Sequence, residues 1–99
     1  MTFNVRYTQS ARKDIINLYN FLLNQDIKAA GQALNSINKV TEFLQEFPFS
    51  CRKADENNSF LREVIIPFGS SGYVALFEIE NNNTITILAV RHQREIDYH

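Results

Sequence analysis

Residues 72–90 read GYVALFEIENNNTITILAV. Two runs rich in β-branched and aromatic residues flank a stretch of three asparagines, and that pattern predicts two antiparallel strands joined by a tight turn. Upstream, FLREVII (60–66) is a third strand-like run, closed by Pro67 and followed by the Gly/Ser turn FGSSG (68–72). The last forty residues therefore predict a three-strand antiparallel meander. Its strands are not cleanly two-faced. Strict alternation sets Ile85, Ile87 and Ala89 on one side and Leu88 and Val90 on the other, and both sets are apolar. Either a twisted small core uses both faces, or a partner covers the second one.

Working outward, the chain begins with period-two alternation: Phe3, Val5 and Tyr7 against Thr2, Asn4, Arg6 and Thr8. The period then lengthens. From Thr8, an N-cap candidate, Ala11, Ile15, Leu18 and Leu22 recur at helical steps, widened by Ile16, Tyr19 and Leu23. Asp26 is the cap candidate for a second helix carrying Ala30, Leu34, Ile37, Leu44 and Phe47 and stopping before Pro48. The small residues Ala29, Ala30, Gly31 and Ala33 suggest close approach of the two helices. PFSCRKADENNS (48–59) lacks periodicity and is expected to be a surface loop. The fold class is α+β, in the order β-α-α-β-β-β: a helical hairpin packed on one face of a small, mainly antiparallel four-stranded sheet.

Bulk properties narrow the function classes. Ninety-nine residues fit a single domain spanning 1–99. Ten Lys/Arg against eleven Asp/Glu, a net charge of −1, lack the basic excess of a nonspecific nucleic-acid binder. The single cysteine, Cys51, permits no internal disulfide and fits a reducing cytoplasm. No apolar run approaches the ~20 residues of a membrane span, and the N-terminus lacks an apolar signal region. The two histidines, His92 and His99, lie seven apart with no cysteine partner, so no metal or other cofactor is expected.

The element order, the pattern Thr8, Ala11, Asp14, Ile15, Tyr19 in the first helix, the LRE at 61–63 and the ending ILAVRHQRE (87–95) together resemble the RelE/ParE toxin superfamily over essentially the whole chain. The GYVALFEI…VRHQRE end is closest to ParE-type members. The resemblance implies the toxin of a bacterial type II toxin–antitoxin pair, a device of plasmid or chromosome stabilisation that arrests growth. It also implies a cognate ParD-like antitoxin partner and either a homodimer or a higher hetero-oligomer with that antitoxin. ParE-like members inhibit DNA gyrase and need a docking surface. RelE-like members cleave mRNA on the ribosome and need a base for the ribose 2′-OH, cations for the phosphate and an acid for the leaving oxygen.

The polar run RHQREIDYH (91–99) is where those demands diverge. For a nuclease, Arg62 and Arg91 are the phosphate clamps, since a guanidinium fork suits phosphate, with His92 or Tyr98 for proton transfer. Each arginine also has acidic neighbours to pair with, and Tyr98 is not at the spacing seen in RelE-like toxins. His99 ends the sequence, a poor place to hold catalytic geometry. Arg52 and Lys53 are followed by acidic residues and read as a solvated loop. Near-neutral charge and the absence of a well-formed acid/base pair favour a recognition edge formed by Arg91, His92 and Arg94. The antitoxin is expected to cover apolar surface at Val74, Leu76, Leu88 and Val90 with a helix and an extended segment. A third reading is an inactive relative retained only as a complex-forming or operon-regulating partner.

Overall fold

The computed structural model describes residues 2–68 and 72–93. Strand β1 (Asn4–Tyr7) leads through Thr8 into helix α1 (Gln9–Leu23), which turns at Asn24–Asp26 into helix α2 (Ile27–Glu46). A single 3-10 turn (Pro48–Ser50) precedes β2 (Arg52–Asp55), β3 (Asn58–Ile66), β4 (Tyr73–Ile79) and β5 (Thr84–His92). The sheet order is β1-β5-β4-β3-β2, with β1 parallel to β5 and the other neighbours antiparallel.

Both helix starts follow their local chemistry. Thr8 accepts the Ala11 N–H at 3.0 Å, and Asp26 accepts the Lys28 N–H at 2.9 Å. Pro48 stops α2, but its fixed φ suits the first position of the 3-10 turn. The hairpin closes on small residues, with Ala30 and Ala33 buried against Leu22. Gly31 takes no part in that approach: a Cβ there would meet nothing within 4 Å.

The sheet has five strands rather than four. The extra strand, β2, lies in the segment expected to be a loop, and every one of its residues is exposed. Backbone pairing with β3 holds it, reinforced by an Arg52–Glu63 ion pair at 2.7 Å. Hydrophobic periodicity cannot announce a strand that buries nothing. A charged, four-residue edge strand also blunts further edge-to-edge pairing.

The core lies between the helices and one sheet face. It includes Ala11 and Leu44 from the helices and Phe77, Ile85 and Ile87 from the sheet. Cross-links at both ends fix the layers: Tyr7 Oη meets Thr41 Oγ1 at 2.6 Å, and the Phe3 N–H donates to Gln45 O at 2.9 Å.

One irregularity corrects the two-faced reading of β5. Phe77 pairs with Ile87, but Leu76 pairs with Ala89, so Leu88 is an extra residue, a β-bulge. Beyond the bulge the side-chain phase flips. Val90 therefore joins Ile85 and Ile87 on the core side, and Ala89 turns away. Val90 is 5 % exposed and Val74 6 %. The expectation that both belong to an open apolar face is not met. Leu76 and Leu88 are half-buried.

Candidate functional site

Strand β5 is longer than the neighbour that covers it. Its pairing with β1 ends at Tyr7–Ile87, and among the described residues no strand flanks the backbone from Leu88 onward on that side. Side chains from the start of α1 complete the edge. Thr8 N donates to Ile87 O at 3.0 Å, and Thr8 Oγ1 donates to Leu88 O at 3.1 Å while accepting from Ala11. One hydroxyl thus serves as helix cap and edge cap, using its proton and a lone pair. Two turns into α1, Asp14 Oδ2 accepts the Val90 N–H at 2.9 Å. Its other oxygen, Oδ1, accepts from the Arg91 guanidinium at 2.9 Å. The spacing of Thr8, Ala11 and Asp14 in the sequence is therefore the spacing needed to close a strand edge.

Above this edge lies a cleft of about 280 Å³, lined by Asp14, Asn17, Leu18 and Phe21 of α1 and by Tyr73, Val90, Arg91 and His92 of the sheet. The His92 ring stands edge-on to Tyr73, its register partner, with centroids 5.4 Å apart. Burial raises the Tyr73 phenol above its ordinary value, which makes it a weaker acid and keeps it protonated at neutral pH. Gln93 closes the strand end: its N–H donates to Gly72 O at 2.8 Å, and its side-chain oxygen accepts the Gly72 N–H at 3.0 Å.

Arg62 belongs to another part of the molecule. Its Nε donates to Ser59 O at 2.7 Å, and one terminal nitrogen donates to Cys51 O at 2.7 Å and Phe49 O at 3.2 Å. The guanidinium carbon lies 5.4 Å from the centre of the Phe49 ring. This is a clasp tying the 3-10 turn and the start of β2 to β3. Arg62 pairs with Phe77, whereas Arg91 pairs with Val74, so the register sets the two arginines on opposite faces. Two strand spacings across and three residues along separate their Cα atoms by roughly 14 Å.

Of the residues singled out in the sequence, the fold thus brings Arg91 and His92 together and keeps Arg62 apart. Arg94, Tyr98 and His99 lie outside the described residues. Arg52 pairs with Glu63, and Lys53 is exposed on the edge strand. Sequence reasoning missed Tyr73 and the role of Asp14; the Thr8–Ala11–Asp14 spacing was the available signal. It also placed exposed apolar surface on the strands, where the described residues show it mainly elsewhere. Ile27 is 74 % exposed, Phe21 59 % and Phe47 58 %, while on the strands Phe60 of β3 is also open. Among the described residues no cluster of His, Cys, Asp or Glu is arranged to hold a metal, and no helix is long and apolar enough to cross a membrane.

Three similarities bear on what this arrangement belongs to. The chain is 31 % identical over 85 residues to Toxin RelE3 of Caulobacter vibrioides, an alignment covering 86 % of this chain and 88 % of that protein. The structure superimposes on a chain of the chromosomal ParDE toxin–antitoxin system of P. aeruginosa with a TM-score of 0.70, covering 92 % of this chain and 96 % of that one at 17 % identity, a likeness of fold. Residues 5–97 match the family described as the ParE toxin of the type II toxin–antitoxin system, parDE. With that match running from β1 through the whole sheet, the chain belongs to the ParE toxin family within the ParE/RelE group of type II toxins.

Proposed function

We propose that this toxin works by docking rather than by chemistry: it inhibits DNA gyrase through the edge formed by Arg91, His92 and Arg94, and its cognate antitoxin neutralises it. It acts in the cytoplasm as a single domain without metal or cofactor. The observation that carries this reading is the separation of the two arginines. A ribonuclease needs converging cations around a phosphate. Here Arg62 is committed to three backbone carbonyls, and Arg91 has its charge offset by Asp14 within the same cleft. A near-neutral cleft is a weak phosphate trap but a serviceable docking point for a shaped protein surface.

One observation favours the alternative, a RelE-like ribosome-dependent mRNA endonuclease. Arg91, His92 and Tyr73 share the cleft, so a guanidinium, an imidazole and a phenol are neighbours there. Against it, the burial that raises the Tyr73 phenol opposes its forming the phenolate a base would need.

The antitoxin is expected to cover apolar side chains that lie open, among them Phe21, Phe43 and Ile65, together with the half-buried Leu76 and Leu88. The test is direct. Purified toxin with gyrase and supercoiled plasmid is expected to yield linear, protein-linked DNA, with added antitoxin suppressing it. Intact plasmid in that assay, with messages cut on translating ribosomes, would replace the gyrase reading by the nuclease one.

A further inference from the structure

We infer that Asp14 is the positioning residue of the toxin's target-contact edge, acting through Arg91. The inference rests on the reading of Arg91 as a target contact and adds the residue that makes it one. Because β1 stops opposite Ile87, the segment carrying Arg91 and His92 is paired with β4 alone, and a strand end held on one side opens more readily than one held on both. Asp14 takes the Val90 N–H with one oxygen and the Arg91 guanidinium with the other. A single carboxylate therefore fixes both the backbone next to Arg91 and the head of its side chain.

The register shows what the second contact does. Arg91 lies opposite Val74, on the sheet face away from Phe77 and the core. Its guanidinium nevertheless turns around the uncovered edge to reach α1. The carboxylate on α1 supplies an opposite charge at the place the guanidinium reaches. Asp14 itself is held well: its side chain is 8 % exposed, whereas that of Arg91 remains 22 % exposed. The carboxylate is the buried anchor and the guanidinium the presented group. A long cationic side chain fixed in advance loses less freedom on binding than one that must be ordered by its partner.

The substitutions Asp14→Asn and Arg91→Ala, alone and together, test this. Asparagine keeps the volume and an oxygen for the Val90 N–H but removes the charge that holds Arg91. Each toxin is purified with its antitoxin and released. Melting temperature, antitoxin affinity, gyrase-dependent plasmid cleavage and growth arrest on antitoxin loss are then measured; the last readout does not depend on which target is correct. Asp14→Asn is expected to leave antitoxin affinity unchanged and to lower potency about tenfold, close to the loss from Arg91→Ala. The double variant is expected to be no worse than Arg91→Ala alone. Asp14→Glu, which retains the charge but carries it one methylene further out, is the second variant and is expected to lose less potency than Asp14→Asn. Wild-type potency in Asp14→Asn, or losses that multiply in the double variant, overturns the inference while leaving Arg91 as a contact. Wild-type potency in Arg91→Ala removes both Arg91 and Asp14 from the target edge.

Discussion

Replacing Arg62 by alanine separates a structural clasp from a catalytic cation. The side chain donates to Cys51 O in a partly buried site, and to Ser59 O and Phe49 O in more exposed ones. A hydrogen bond from a charged donor contributes about 1.5–3 kcal/mol when shielded and much less where water can replace it. Only the Cys51 contact therefore counts near the lower figure. The cation–π contact with Phe49 adds about 0.5 kcal/mol at an exposed ring, and the two exposed carbonyls are largely resolvated. The expected cost is about 2 kcal/mol, which for a domain of this size lowers the melting temperature by roughly 8–16 °C. Arg62→Lys should recover less than half of that, because a single ammonium cannot span a forked set of acceptors. Thermal and urea denaturation of purified toxin measure it, with thiol labelling of Cys51 as a local probe. Cys51 is 9 % exposed, so it should react slowly in the wild type and faster in the variant, as the turn before β2 loosens. Arg62→Ala melting within about 2 °C of wild type, with Cys51 still protected, would refute the clasp and return Arg62 to the list of phosphate ligands.

Other substitutions test the fold. Gly31→Ala should stabilise the toxin by about 0.8–1 kcal/mol in urea denaturation, since Gly31 is helical and a methyl group there meets open space. Gly72→Ala should destabilise it by about 1–3 kcal/mol, because the added carbon would lie 2.6 Å from the Ile66 carbonyl oxygen, a backbone atom with nowhere to yield. Alkaline pH should destabilise the protein. Burial raises both the Cys51 thiol, against a smaller opposing effect of Arg62, and the Tyr73 phenol. Each group favours folding fully while pH is below its unfolded value, near 9.0 and 10.0, and that contribution is lost as pH rises through the folded values. Melting temperature measured from pH 8 upward should fall, and Cys51→Ala with Tyr73→Phe should flatten the fall.

How much of this was legible beforehand depended on whether the cause was local. The caps at Thr8 and Asp26 were readable because an N-cap is a contact within one helical turn. The hairpin of β4 and β5 was readable from its apolar runs and asparagine turn. Strand β2 was not, since its four exposed residues carry no burial pattern and its order comes from pairing with β3. The burial of Val90 was not, because a bulge at Leu88 reverses the alternation from which faces are read. Nor did Arg62 announce its role: a strand arginine has the same composition whether it grips phosphate or a neighbour's carbonyls.

Apart from β2, the order of elements, the period of each and the residues that start and stop them were determined by the sequence alone, because propensity, capping and hydrophobic spacing act over a few residues. Tertiary structure decided which polar groups meet. Asp14 and Arg91 stand 77 positions apart in the chain; only the parallel return of β5 beside β1, and its overrun past Ile87, lays a carboxylate of the first helix on the last strand. Complementary charges at that separation have no local signature, and it is their meeting that turns a solvated strand end into a fixed edge.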